Sequence, residues 1–340
     1  MIKIAINGFG RIGRLLFREA QNREDIEIVA VNDLGNLNNL AYLLKHDTVY
    51  RSFPREVRVD NEHLIVDGKK IKFFQIKNPA ELPWGALQVD IVIESTGVFE
   101  SYEKASAHIK AGAKKVIISA PSKDEGNALG KTVLMGINEK DASLCDITSN
   151  GSCTTNAVSP VIAVLSENPG IEKAMLNTIH AYTATQTITD SPVGGNDFRR
   201  GRAAAQNIIP STTGAAISVT TAISELKDKF DGIALRVPVV AGSIADITFI
   251  AKRSVTAVEI NDILRQASET RFKGLLTVSD APFVSSDIIG SPYASIVDSQ
   301  FTKVVDGNLV KVLAWYDNEA GYVETLLSHV VLVANNVKIK

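Results

Sequence analysis

Ile2-Lys3-Ile4-Ala5-Ile6-Asn7-Gly8-Phe9-Gly10-Arg11-Ile12-Gly13 is the stretch whose reading decides the fold. Ile2 to Ile6 is a short β-rich run, three glycines follow at Gly-x-Gly-x-x-Gly spacing, and Arg14 to Gln21 is helix-compatible. A second β-rich run, Ile26 to Asn32, leads into Asp33, 20 residues beyond the last glycine. Strand, glycine turn, helix, strand and acid in that order describe a dinucleotide-binding βαβ unit. Gly8, Gly10 and Gly13 permit a tight turn and close backbone approach, and the helix N-terminus receives the pyrophosphate. Asp33 can accept hydrogen bonds from the adenosine ribose hydroxyls. A carboxylate there repels a 2′-phosphate, so the expected cofactor is NAD rather than NADP.

Outward from this unit the alternation continues. Leu37 to Lys45 and Tyr102 to Ala111 read as helices, and Asp90 to Glu94, Lys115 to Ser119, Thr132 to Met135 and Asp146 to Thr148 as strands. This is the pattern of a parallel sheet. The pattern changes after Cys153. Longer β-rich segments then dominate, at Ala174 to Ile179, Ile233 to Val240, Ile244 to Ala251, Ala294 to Asp298 and Leu309 to Tyr316. They predict a mixed sheet, crossed by a helix over Val255 to Ser268. A final apolar stretch, Val323 to Ala334, is long enough to be a helix that packs back on the first domain. The expected class is α/β: an N-terminal Rossmann-type parallel-sheet domain and an α+β catalytic domain with a mixed or antiparallel sheet. A chain of 340 residues suits two cores better than one.

The chemistry is expected at Ser152-Cys153-Thr154-Thr155-Asn156, with His180-Ala181-Tyr182-Thr183 following 27 residues later. A short strand before Cys153 and a largely helix-compatible run after it place the thiol at a helix N-terminus, where dipole and backbone amides favour thiolate. His180 supplies a base, and the two together suggest covalent catalysis through sulfur. With a nicotinamide cofactor, thiol and base imply aldehyde oxidation through a thiohemiacetal and a thioester on Cys153. Pro160 falls inside that helix, where it removes a donor and is expected to kink it. Cys145 lacks a hydroxyl-rich helix start and reads as structural. Gly126-Asn127-Ala128-Leu129-Gly130-Lys131-Thr132 imitates a phosphate loop, but its glycine spacing is short and a strand follows, so it reads as a turn.

Composition bounds the partners. Hydrophobic residues make up 45% and charged residues 22%, and the formal net charge of -2 gives no whole-chain attraction for nucleic acid or an anionic membrane. Two cysteines build no disulfide framework, and no Cys/His cluster has zinc spacing. Neither a signal peptide nor a long apolar span is legible, so a cytoplasmic protein without metal is expected.

These motifs are similar to those of the phosphorylating glyceraldehyde-3-phosphate dehydrogenase family along nearly the whole chain. The resemblance rests on Ile6 to Arg14, Ser152 to Asn156, His180 to Thr183, Ala204-Ala205-Gln206-Asn207-Ile208-Ile209-Pro210, Arg236-Val237-Pro238 and Trp315-Tyr316-Asp317-Asn318-Glu319. It implies that Cys153 attacks glyceraldehyde 3-phosphate while His180 activates the thiol and, with the Cys153 amide, steadies the oxyanion. Inorganic phosphate then cleaves the thioester to an acyl phosphate. By the same resemblance Thr183 and Arg236, with Arg200 nearby, hold the substrate phosphate, and Ser152, Thr154, Thr213 and Gly214 receive the attacking phosphate. Arg11 and Ile12 belong to the pyrophosphate loop, Asn318 to the nicotinamide amide, and Lys77 and Ser119 to the cofactor side. The implied domains are 1–152, completed by a C-terminal helix 318–340, and 153–317. Four subunits are implied, with Tyr182 to Asn207 near a neighbouring cofactor site.

The chain departs from the family pattern at several places. Gly151 replaces an alanine, Ala157 a second cysteine, and Ser191 a leucine frequent in NAD-specific members. Val239-Val240-Ala241-Gly242 replaces a Thr-Pro-Asn-Val run near subunit contacts. Two other functions share much of this reading. One is erythrose-4-phosphate dehydrogenase, which resembles the chain less at Thr183 and Thr213-Gly214. The other is a non-catalytic nucleotide-binding regulatory protein, against which the retained Cys153, His180 and phosphate ligands argue.

Overall fold

The structure is a computed structural model and describes residues 1–337; residues 338–340 of the expected C-terminal helix lie outside the described residues. The chain divides into two compact units, residues 1–151 with the segment from Thr325, and Ser152–Glu324. In chain order the first contains β1 (Ile2–Asn7), α1 (Arg11–Ala20), β2 (Ile26–Asn32), α2 (Leu37–Lys45), and the two-residue strands β3 (His46–Asp47) and β4 (Arg51–Ser52). After them come β5 (Val57–Asp60), β6 (His63–Val66), β7 (Lys69–Phe74), β8 (Ile91–Glu94), α3 (Tyr102–Lys110), β9 (Lys115–Ile118), β10 (Gly130–Thr132) and β11 (Ile147–Ser149).

Nine of these strands form one sheet in the order β10-β11-β9-β8-β1-β2-β7-β6-β5. From β10 to β7 every neighbour is parallel. Ile91 to Glu94 and Lys115 to Ile118 are buried at every position, as strands covered on both faces must be. At the β5 edge the sheet turns antiparallel. The reason is local: Asp67-Gly68 joins β6 to β7 with both residues at positive φ, the geometry of a two-residue hairpin turn. The expected strand over Thr132 to Met135 is only Gly130–Thr132; beyond it the Val133 amide still donates to the Ser149 carbonyl at 2.9 Å, and the Leu134 amide turns to Asn138 Oδ1 at 2.8 Å.

A buried polar network fixes the ends of β1 and β8. Glu94 Oε2 accepts from Asn7 Nδ2 at 2.5 Å and lies 2.9 Å from His108 Nε2. Trp84 Nε1 donates to His108 Nδ1 at 3.0 Å, so the imidazole carries its proton on Nε2 and donates it to the carboxylate. Every charge and dipole in the group thus has a partner, without which such burial would be costly.

The second unit contains α4 (Cys153–Glu167), β12 (Ile171–Ala181), β13 (Ile209–Thr212), α5 (Ala215–Ala222), β14 (Phe230–Val237), β15 (Ser243–Ala251), α6 (Ala257–Glu269), β16 (Leu276–Ser279), β17 (Ser295–Val305) and β18 (Leu309–Tyr316). Its sheet runs β13-β14-β12-β15-β18-β17-β16 and is mixed, with β12 parallel to β14 and antiparallel to β15. Helix α7 (Ala320–Val337) begins in this unit, and its residues from Thr325 belong to the first. Pro160, where a lost donor and a kink were expected, lies inside α4, which is one continuous helix over Cys153–Glu167. Residues 154–165 are buried all round, and that packing outweighs one missing backbone donor.

Candidate active site

The local sequence makes the start of α4 rigid before any partner is considered. Ser152 is the N-cap: its Oγ accepts from the Thr155 amide at 3.0 Å, and Thr155 Oγ1 accepts from the Ser152 amide at 3.3 Å. This reciprocal capping box satisfies two helix-end donors and fixes the backbone entering the first turn. Asn156 Nδ2 adds a bond to the Ser152 carbonyl at 2.9 Å. Cys153, the first helical residue, is therefore held on a fixed frame.

Strand β12 brings the base. His180 is one residue from the end of β12 and nearly fully buried, and its Nε2 lies 3.3 Å from Cys153 Sγ. Arg236, on the parallel neighbour β14, pairs in register with His180. Its Nη1 lies 2.7 Å from His180 Nδ1 and donates to the Ala181 carbonyl at 3.1 Å. Burial, and then the Arg236 charge, push the His180 pKa down to about 3, against the Ala181 carbonyl, which raises it. Burial also pushes the Cys153 thiol up, opposed by Arg236 and by hydrogen bonds from Thr154. Each group alone is thus neutral near pH 7. Moving the thiol proton to His180 creates both charges together at contact distance, where each stabilises the other. The pair is built for proton transfer coupled to attack by sulfur.

The residues expected at the phosphates fall into two groups. Arg200 donates to Thr185 Oγ1 at 3.3 Å and Ser211 Oγ at 3.0 Å, and Thr183 Oγ1 is 3.0 Å from Thr185 Oγ1. Thr183, Thr185, Arg200 and Ser211 thus form one hydroxyl and guanidinium cluster. Gly214 is the N-cap of α5 without a side-chain cap, a Cβ there would meet nothing within 4 Å, and Thr213 Oγ1 accepts from the Ala215 amide at 3.2 Å. Thr154 is the surprise. Its hydroxyl is buried and lies 2.9 Å from the Tyr316 hydroxyl.

The first unit holds the expected nucleotide residues. Gly8 has φ +96°, and a Cβ on it would come within 2.6 Å of the Ser95 backbone, so both conformation and close approach require glycine. At Gly10 a Cβ would meet nothing within 4 Å, and this residue caps α1 without a side-chain bond. A helix start left open by its own side chains, beneath empty space, fits a dinucleotide pyrophosphate. Asp33, just past β2, accepts from the Phe9 and Gly35 amides, each at 2.7 Å, which fixes the carboxylate beside the glycine turn. The Arg11 guanidinium is bound by Asp47 at 2.7 Å, and Ile12 and Gly13 lie in the first turn of α1. Ser119 follows β9, half-buried, at the carboxyl end of the parallel strands, whereas Lys77 is exposed and makes no hydrogen bond or ion pair among the described residues. Asn318 belongs to the second unit, where its Oδ1 accepts from the Gly242 amide and Ser243 Oγ at 3.2 and 2.9 Å.

Sequence reasoning passed over three contributors: Thr155 as the reciprocal cap, Thr178 beneath His180, and Tyr316. Thr155 was legible, since Ser-x-x-Thr precedes an apolar helix much as a capping box does. Tyr316 had a fainter signal, the alternation of β18 that puts it on the buried face with a hydroxyl needing partners.

Comparison with known proteins bears directly on this geometry. The family model described as glyceraldehyde 3-phosphate dehydrogenase, NAD binding domain, matches residues 2–102, and that described as glyceraldehyde 3-phosphate dehydrogenase, C-terminal domain, matches 152–318. The chain is 49% identical over 339 residues to glyceraldehyde-3-phosphate dehydrogenase 2 of Streptomyces avermitilis, covering 99% of each. It is 47% identical to glyceraldehyde-3-phosphate dehydrogenase 1 of Bacillus subtilis over 94% of this chain and 95% of the relative. With glyceraldehyde-3-phosphate dehydrogenase of Geobacillus stearothermophilus the identity is 46%, over 98% of each.

Proposed function

The chain belongs to the glyceraldehyde-3-phosphate dehydrogenase family, and from that premise we propose that Cys153 and His180 carry out its NAD-dependent oxidative phosphorylation. It is an NAD-dependent oxidoreductase with a Rossmann-type cofactor domain. The observation that carries the residue assignment is the 3.3 Å approach of Cys153 Sγ to His180 Nε2 at a capped helix start. Sulfur adds to the aldehyde carbon of D-glyceraldehyde 3-phosphate as the thiol proton passes to His180 Nε2. The Cys153 amide and protonated His180 steady the resulting oxyanion. NAD, when bound, supplies the hydride acceptor. The thioester left on Cys153 is attacked by inorganic phosphate, which gives 1,3-bisphosphoglycerate and returns the thiolate.

Thr183, Arg200 and Arg236 are assigned to the substrate phosphate, whose oxygens suit hydroxyls and guanidinium forks. Ser152, Thr213 and Gly214 are assigned to the attacking phosphate; the family pattern assigns Thr154 there too, but its buried hydroxyl is engaged by Tyr316. Gly8, Gly10, Arg11, Ile12, Gly13 and Asp33 are assigned to NAD, with Lys77, Ser119 and Asn318 carried over from the family pattern. The engaged guanidinium of Arg11 favours a backbone role for it. The assignment treats 1–152 with 318–340 as the cofactor domain and 153–317 as the catalytic one. Exposed Met175, Ile233 and Leu309 on strands of the second unit support self-association, here as a homotetramer. Among the described residues no helix is long and apolar enough to cross a membrane, which supports a cytoplasmic assignment.

The test is NAD reduction by the purified protein with glyceraldehyde 3-phosphate, with and without inorganic phosphate, beside erythrose 4-phosphate and a Cys153→Ala control. Fast triose turnover that requires phosphate and vanishes in the control is the expected result. Preference for erythrose 4-phosphate, or turnover indifferent to phosphate, overturns the substrate or the phosphorolysis step.

A further inference from the structure

We propose that Tyr316 is a positioning residue whose hydroxyl ties the neighbours of nucleophile and base together and so sets the Cys153–His180 pair. Tyr316 ends β18 and is 1% exposed. Its hydroxyl lies 2.9 Å from Thr154 Oγ1 and 2.7 Å from Thr178 Oγ1. Thr154 follows Cys153 in the first turn of α4. Thr178 precedes His180 by two residues on β12 and therefore shares its face of the strand. Strand β15 separates β18 from β12 in the sheet, so no backbone bond joins Tyr316 to either element. The phenol joins α4 to β12 through side chains, beside the direct Cys153–His180 contact. Its ring also meets the His180 imidazole edge to face, with centroids 6.0 Å apart.

The chemistry of three hydroxyls gives this bridge a direction. Thr178 and Thr154 are both nearly fully buried, so each hydroxyl needs a partner in the protein. Thr178 Oγ1 also has the Ile244 carbonyl within 3.5 Å, but its 2.7 Å contact with Tyr316 is the shorter; with Thr178 donating to Tyr316 and Tyr316 to Thr154, the Thr154 hydrogen is left for the thiolate sulfur of Cys153. The charged groups facing that sulfur are His180 from β12 and Arg236 from β14, and Tyr316 adds an oriented dipole from β18. The inference rests on the assignment of Cys153 as nucleophile. Alkylation of that thiol reports on it without requiring aldehyde turnover.

The experiment compares the intact enzyme with Tyr316→Phe, Thr178→Val and Thr178→Ser. The readouts are the pH dependence of Cys153 alkylation by iodoacetamide, kcat, KM for aldehyde and for phosphate, and the thermal midpoint. Phenylalanine keeps the ring packing and deletes only the hydroxyl. The expected result is an alkylation midpoint displaced to higher pH in Tyr316→Phe and Thr178→Val, with kcat reduced by about tenfold or more and KM for aldehyde and for phosphate unchanged. Thr178→Ser should return both to the parent values. A Tyr316→Phe enzyme that melts earlier yet keeps the parent pH profile and kcat makes the residue merely structural and overturns the proposal. So does a loss of kcat with an unmoved alkylation profile. Should Tyr316→Phe fail to fold, the valine and serine variants at 178 decide by the same criteria. Parent enzyme that alkylates normally but does not reduce NAD with the triose would overturn the functional assignment and leave this one standing.

Discussion

Two helix starts, α1 and α4, show how one feature is used in opposite ways. At α4 the Ser152 and Thr155 side chains close the helix end upon itself, so the first turn arrives rigid and carries the nucleophile. At α1 the cap is Gly10, which contributes no side chain and has open space above it. One end spends its hydrogen bonds on its own frame, as a covalent nucleophile held to within fractions of an ångström requires. The other keeps its end open for an anion that binds and leaves. Ser152 Oγ also lies 2.8 Å from Thr155 Oγ1, and its hydroxyl hydrogen is left for a ligand when Thr155 is the donor of that contact.

Breaking the rigid end at its base should have the largest effect. His180→Asn should lower kcat by roughly 10²–10⁴-fold while NAD affinity, measured by fluorescence or calorimetry, stays at the parent value. Equal losses in both would mean that the substitution disturbs more than proton transfer.

The open end separates two glycines. Gly8→Ala forces a Cβ to 2.6 Å from backbone at a positive φ, so it should destabilise by about 1–3 kcal/mol in a denaturant titration and abolish NAD binding. Gly10→Ala should leave stability within about 0.5 kcal/mol and still weaken NAD, because it fills the open volume proposed for the pyrophosphate. Unweakened NAD affinity in Gly10→Ala would remove the pyrophosphate from that space.

Acid sharpens the contrast between His180, which faces the thiol, and His329, which has no such use. Burial lowers the pKa of His329 to about 3 from an ordinary 6.5, with Nδ1 3.0 Å from Asn150 Oδ1 and no partner at Nε2 among the described residues. Below the ordinary value the unfolded chain binds a proton that the native imidazole refuses. Stability is therefore full above about pH 6.5 and falls as the pH drops towards 3, with His180 contributing in the same direction. His329→Leu should flatten part of that fall in melts between pH 7 and 4 without moving the alkylation profile of Cys153.

The smallest effect belongs to the cap. Ser152→Ala should lower stability by about 1 kcal/mol, a value checked by denaturant midpoint at constant slope.

Legibility followed the range of the interaction. Gly8 to Gly13, Asp33 and Cys153 at a helix start could be read because strand, turn and helix start are set by a few consecutive residues. The hairpin at Asp67-Gly68 was equally local and was passed over, so the antiparallel edge at β5 to β7 came as an addition to the expected parallel sheet. Pro160 was read correctly as a residue that opposes a helix, yet burial on all sides of α4 outweighs it, a quantity no local window contains. The turn of the Thr154 hydroxyl towards Tyr316 was out of reach for the same reason.

The sequence by itself determined where a dinucleotide turn forms, where a thiol meets a helix start, and the βαβ alternation that opens the chain. These depend on backbone conformation and capping within a few residues. Tertiary structure alone decided that Arg236 presses on His180 and that Tyr316 bridges Thr154 and Thr178, 162 and 138 residues away along the chain. Proton affinities and hydroxyl orientations depend on burial and on neighbours delivered by other strands, and sequence spacing carries no record of either.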